Sequence, residues 1–170
     1  MVFNPDAHPY ASQRRVVYSS QGMVATSQPQ AAQAGLDMLR RGGNAVDAAV
    51  AAAACLTVTE PTSNGIGSDA FAIIWHRGSL FGLNSSGRSP AAASIEAMRE
   101  RGHEHMPTFG WMPVTVPGAP GAWAELTEKF GTMSLCEVIA PAAGHAREGF
   151  PVSPVTARYW ARACEKYRER

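Results

Sequence analysis

From Asn44 to Leu56 the chain reads NAVDAAVAAAACL, where Asp47 is the one charged side chain and nearly every other is small and apolar. A helix over this stretch has no polar face to turn to water, so other elements must surround it. Asn44 stands as its N-cap, with Asp47 three residues on as a variant of the capping box. The apolar stretch Ala48 to Val58 is about half of the roughly 20 residues that a membrane crossing needs, which excludes a transmembrane span there. A length of 170 residues suits one domain around that central helix. The 15 Lys+Arg against 14 Asp+Glu give neither a nucleic-acid surface nor a disordered composition.

The remaining elements are read from periodicity and punctuation. Residues 1–14 form a polar, irregular segment, and 15–170 the folded unit. Val16 to Tyr18 reads as an edge strand and Met23 to Ala25 as a buried one, with a Ser-Gln-Gly turn between. Ser27 and Pro29 open a helix that runs to Gly42-Gly43. Past the TSNGIGSD loop, Ala70 to His76 and Ser79 to Leu83 flank Arg77-Gly78 as a hairpin, and the run AFAIIW predicts a strand buried on both faces. A short helix over Ser94 to Arg101 and a brief strand at Val114 to Val116 follow. Gly131 closes a helix over Ala119 to Phe130; Ser134 caps Leu135 to Arg147, closed by Gly149; Ser153 caps a last helix to the end. That helix has no C-cap, which predicts a longer parent chain.

Chemistry-bearing constellations are few. Cys55, Cys136 and Cys164 are too few and too spread for a disulfide framework or a zinc spacing, and their apolar helical contexts predict reduced, buried thiols. His103 and His105 flank Glu104 without further ligands nearby, so a surface loop is expected and no metal or cofactor is implied. GIGSD lacks the Gly-Lys-Ser/Thr of a phosphate loop. It is either a tight turn whose glycines permit positive φ or close packing, or a substrate-lining loop. Arg158, Arg162, Lys166, Arg168 and Arg170 make the last helix basic, but Glu165 and Glu169 dilute it toward a solvated face, so neither nucleic acid nor membrane is expected as a partner. The opening MVFNPDAHPYASQRR has no apolar leader core, so the chain is expected in the cytoplasm or to have lost a leader, with the periplasm or secretion as the other destinations.

The string GMVATSQPQAAQAGLDMLRRGGNAVDAAVAAAACLTVTEPTSNGIG, Gly22 to Gly67, resembles the start of the γ-glutamyltranspeptidase family, N-terminal-nucleophile hydrolases that include cephalosporin acylase-like members. GRSPAAAS (Gly87 to Ser94), VTVPGAPGAW (Val114 to Trp123) and APAAGHAREGFPVS (Ala140 to Ser153) follow in the family's order. The resemblance implies an α+β fold, the αββα sandwich, of which this chain would be the N-terminal part only, helix-rich with a few strands including one hairpin. It implies a proenzyme that cleaves itself into a large and a small subunit, the small one opening with a Thr nucleophile in a Thr-Thr-His string. This sequence has no Thr-Thr pair, so no catalytic residue is assigned within it. The implied partners are the remainder of the large subunit, the small subunit, a γ-glutamyl or related acyl amide, and further copies in an oligomer.

Two departures bear on substrate. Where transpeptidases carry Asp-Gly-Arg-Glu-Thr-Ala-Pro, with the arginine gripping a carboxylate, this chain has Asn84-Ser85-Ser86-Gly87-Arg88-Ser89-Pro90. Ser86 takes the arginine's place, and Arg88 follows two residues on. In an extended strand that spacing would keep Arg88 on the same face, about 7 Å along. Arg88 is therefore either a carboxylate ligand from a shifted position or a structural arginine beside a turn. The family's glycine run is here Ser68-Asp69-Ala70, closer to the acylase-like branch, and Asp69 either lines the site or caps the loop. The substrate-binding candidates are thus Arg88, Ser86 and Asp69. Two functions follow: part of an enzyme that cleaves or transfers an acyl group from an amide, or a truncated non-catalytic member that serves as a binding module.

Overall fold

The small-residue helix organises the chain. A computed structural model describes residues 16–168; the irregular segment 1–14, Arg15, Glu169 and Arg170 lie outside the described residues. The elements are α1 (Pro29–Arg40), α2 (Ala45–Thr59), β1 (Ala70–His76), β2 (Ser79–Ser85), α3 (Ile95–Glu100), α4 (Ala119–Phe130), α5 (Leu135–Glu148) and α6 (Pro154–Arg168). Helix α2 packs against α1, α5 and α4. Its Val50, Ala51, Ala54 and Cys55 meet Ala31 and Met38 of α1, Trp123 and Leu126 of α4, and Val138 and Ala142 of α5 in one core. Small side chains let backbones approach: a Cβ on Gly35 of α1 would lie 2.9 Å from the Ala48 carbonyl oxygen and 2.9 Å from Val24.

The enclosure of α2 is incomplete. Ala45 and Ala49 are exposed, and with Ala53 and Leu56 they line an open groove of about 570 Å³ beside the chain segment Gly22 to Thr26. The two strands expected at Val16 to Tyr18 and Met23 to Ala25 do not form, and among the described residues no strand lies beside them; Met23 and Tyr18 are exposed. Val114 to Val116 is likewise no strand, and Val116 contributes a single N–H bond to the Arg88 carbonyl at 2.9 Å.

The N-terminus of α2 is tied to the turn between α4 and α5. The Asn44 side chain accepts from the N–H groups of Val46 and Asp47, and the Asp47 carboxylate accepts from the Asn44 N–H at 2.8 Å, completing the capping box. Asp47 is wholly buried and also accepts from the Thr132 N–H, the Thr132 hydroxyl at 2.7 Å and the Met133 N–H. Burial opposes its ionisation, yet the hydrogen bonds from Asn44, Thr132 and Met133 outweigh that and hold its carboxyl below the usual range. Gly131 is required here, since a Cβ would sit 2.6 Å from the Asp47 carboxylate.

Ser27 does not cap α1. Gln28 occupies that position in extended conformation without a side-chain bond, and Ser27 instead donates its hydroxyl to the Glu60 carboxylate just past the end of α2. Ser134 and Glu137 form the capping box of α5, and Ser153 accepts from the Thr156 N–H at the start of α6. Cys55 is buried as expected, and burial pushes its thiol up; Cys136 and Cys164 are exposed, because they fall on the outer faces of α5 and α6.

Strands β1 and β2 pair antiparallel from Ala70 with Ser85 to His76 with Ser79. Arg77 and Gly78 turn the hairpin at φ 50° and 81°, the paired positive values of a type I′ turn. Ala70, Ala72 and Ile74 face the core, while His76 and Phe81 pack on Phe130 at the end of α4 with ring centroids 5.6 Å and 5.1 Å away. The other face is bare, contrary to a strand buried on both sides: Phe71, Ile73 and Trp75 are 67%, 83% and 71% exposed. Every second residue of AFAIIW is apolar on both faces, but only one face has a helix laid against it.

Candidate functional site

The open end of the hairpin is where the sequence candidates meet. Asp69 directly precedes β1 and Ser86 directly follows β2, so both flank the terminal pair Ala70–Ser85. Three segments cross there. The Ser68 carbonyl accepts from the N–H groups of Gly118 (3.1 Å) and Ala119 (2.9 Å), and the Ser85 hydroxyl donates to the Gly118 carbonyl at 2.7 Å. Val116 donates to the Arg88 carbonyl from the same segment. The loop before β1, the exit of β2 and the entry to α4 are thereby fastened to one another.

Glycine is obligatory at two points of this crossing. A Cβ on Gly118 would fall 1.9 Å from the Ser85 carbonyl oxygen, and one on Gly87 would fall 2.0 Å from that of Val116. Gly87 also holds φ at +77°, a left-handed conformation that costs other residues roughly 1 to 2 kcal/mol. This turn separates Ser86 from Arg88, so strand alternation does not place them on one face. Arg88 is exposed, and its guanidinium makes no hydrogen bond or ion pair among the described residues. Ser86 is half-buried, its N–H donating to the Asn84 side chain at 3.0 Å; Asp69 is exposed.

The GIGSD loop is a turn fastened by the Ser68 hydroxyl to the Gly65 carbonyl at 2.5 Å. Neither expected reason for its glycines applies: Gly65 and Gly67 do not hold positive φ, and a Cβ on either would meet open space. Ser68, Ser85, Val116 and Gly118, which fasten the crossing, were not among the sequence candidates. Their signals were the glycines of SSGRSP and VPGAP, whose mutual contact spans about thirty residues of chain and has no local pattern. Among the described residues no group of three or more His, Cys, Asp or Glu comes together as a metal site, and no helix is long and apolar enough to cross a membrane.

Comparison with known proteins supplies the context for this crossing. Residues 31–170 match the profile of the gamma-glutamyltranspeptidase family. The chain is 34% identical over 168 residues to the glutathione hydrolase proenzyme of Bacillus subtilis, covering 95% of this chain and 28% of that protein. It is 34% identical to the acylase ACY 1 proenzyme of a Pseudomonas species, covering 88% and 29%. Cephalosporin acylase from Bacillus halodurans superposes with a TM-score of 0.95 at 56% identity, over 99% of this chain and 32% of that one. The γ-glutamyltranspeptidase of Helicobacter pylori superposes with a TM-score of 0.84 at 28% identity, over 92% and 46%.

The fold is α+β, helix-rich with one two-stranded hairpin, of the N-terminal-nucleophile hydrolase type. The chain belongs to the γ-glutamyltranspeptidase family, whose members include hydrolases and acylases that cleave amides. It spans under a third of the length of these curated relatives.

Proposed function

We propose that this chain is the scaffold and acyl-recognition part of an enzyme that cleaves an amide or transfers its acyl group, with a Thr nucleophile outside these 170 residues. The observation that supports the reading is the crossing itself, which holds Asp69, Ser86 and Arg88 on segments fastened to one another. An N-terminal Thr suits the chemistry because its own α-amine, with a pKa near ~8, takes the hydroxyl proton as the oxygen attacks the amide carbonyl. The same amine then protonates the departing nitrogen. Water or a second amine resolves the ester intermediate.

In this reading Arg88 holds a carboxylate on the acyl group, Ser86 offers it a hydroxyl, and Asp69 accepts from a cationic or amide nitrogen. An acyl group with a differently placed carboxylate from the γ-glutamyl one fits the exchange of arginine for Ser86. The bare face of the hairpin and the open side of α2 support the remainder of a large subunit and a small subunit as partners that cover them.

Denaturing intact-mass measurement of the protein expressed from its full native reading frame tests the reading. Two fragments, the smaller opening with Thr, are expected. A single uncleaved species with no downstream Thr-Thr-His would instead assign the chain to the non-catalytic binding module.

A further inference from the structure

Between Ser89 and Thr115 the chain leaves the crossing, forms α3 and returns, bordering an open surface hollow of about 480 Å³ in which Ile95, Met106 and Trp111 are 63%, 51% and 89% exposed. Its walls are Ile95, Met98, Arg101, Met106, Trp111 and Met112. Three thioethers and an indole make a polarisable surface that adapts to flat or branched apolar groups. Arg101 is the single charged residue in the wall, and its guanidinium has no hydrogen bond or ion pair among the described residues. Exposed apolar side chains beside one solvent-facing cation complement an apolar body with a single negative charge. A polypeptide segment covering this hollow would have to bring that charge as well as an apolar side chain.

We propose that this cavity is a binding site for an arylalkyl carboxylate, its ring among the methionines and Trp111 and its carboxylate on Arg101. Ser89 and Pro90 line the lip directly after Arg88, so the site adjoins the crossing without sharing its candidate residues. The inference goes beyond the catalytic reading and is tested without turnover.

The probe is 4-phenylbutyrate, titrated calorimetrically and by tryptophan fluorescence into the protein expressed from its native reading frame. Saturable one-to-one binding is expected, with at least about tenfold weaker affinity in Arg101→Gln and about the same loss for the uncharged 4-phenylbutyramide. Arg99→Gln, an exposed arginine of α3 outside the wall, leaves the affinity unchanged. Trp111→Phe keeps the binding heat but loses the fluorescence change. Absent or non-saturable binding overturns the proposal, as does equal affinity of the Arg101→Gln and Arg99→Gln variants. So does binding by the 170-residue chain that disappears in the full protein, which would show that polypeptide fills the cavity.

Discussion

Replacing Asp47 by alanine removes the acceptor for three backbone N–H groups and one hydroxyl, all from the junction of α2 with the α4–α5 turn. Loss of a helix-capping interaction costs about 1 kcal/mol. Leaving the Thr132 and Met133 N–H groups without partners adds about 1 kcal/mol or more each, so Asp47→Ala should cost about 3 kcal/mol. That is a large fraction of the roughly 5 to 15 kcal/mol that holds a domain together. Asp47→Asn keeps the shape but exchanges a charged acceptor for a neutral one, and should cost about 2 kcal/mol.

The asparagine variant also has a pH signature. Asp47 has a folded pKa depressed below its ordinary 3.8, so its contribution is fully present above the unfolded value and is lost as pH falls through the folded one. Urea unfolding followed by circular dichroism at pH 7 and at descending pH should therefore show the two proteins converging only below about 3.8. An Asp47→Ala cost under about 0.5 kcal/mol at pH 7, or a gap between wild type and Asp47→Asn that stays constant down through that range, would refute the linkage drawn from these hydrogen bonds.

Further outcomes follow from the geometry. Gly118→Val forces a side chain into the Ser85 carbonyl and should abolish the amide cleavage proposed for the full protein while the helical circular dichroism is retained. Arg77→Asn suits the positive φ of the hairpin turn better and should raise stability by about 0.5 to 1 kcal/mol in urea unfolding; a neutral or negative shift contradicts the turn assignment. A thiol reagent in native buffer should modify Cys136 and Cys164 promptly and Cys55 only after denaturant is added, as read by peptide mass. Ile73→Lys with Trp75→Lys should reduce self-association of the 170-residue chain in analytical ultracentrifugation, since both side chains stand on the bare hairpin face.

Elements whose boundaries are written in local chemistry were legible in the sequence. Asn44 with Asp47, Ser134, Gly131 and Arg77-Gly78 all stand where their types predict, because caps and turns are settled within a few residues. Burial was less legible. The alternation in AFAIIW records apolar side chains on both faces, but it does not say how many of those faces these 170 residues cover, and Phe71, Ile73 and Trp75 remain outside. The same holds for Met23 to Ala25, a strand by composition with no strand beside it among the described residues. At the candidate site, the residues flanking the hairpin were nameable from the sequence, whereas the turn at Gly87 that separates Ser86 from Arg88 depends on the close approach of Val116, thirty residues along. Long-range contacts of that kind leave only a glycine as their trace.

The bond from Val116 to the Arg88 carbonyl has a consequence for how such a chain can diversify. It pins both ends of the excursion from Ser89 to Thr115 to one point, and Phe109 midway packs on Tyr167 and Lys166 of α6, so only the stretches between these anchors behave as closed loops. Doubling the length of a closed loop costs only about 0.6 kcal/mol of chain entropy. Length changes between the anchors therefore cost little in chain entropy while altering the lining of the hollow beside α3. The fastening lets the surface between Ser89 and Thr115 vary in length with the helices around α2 left untouched.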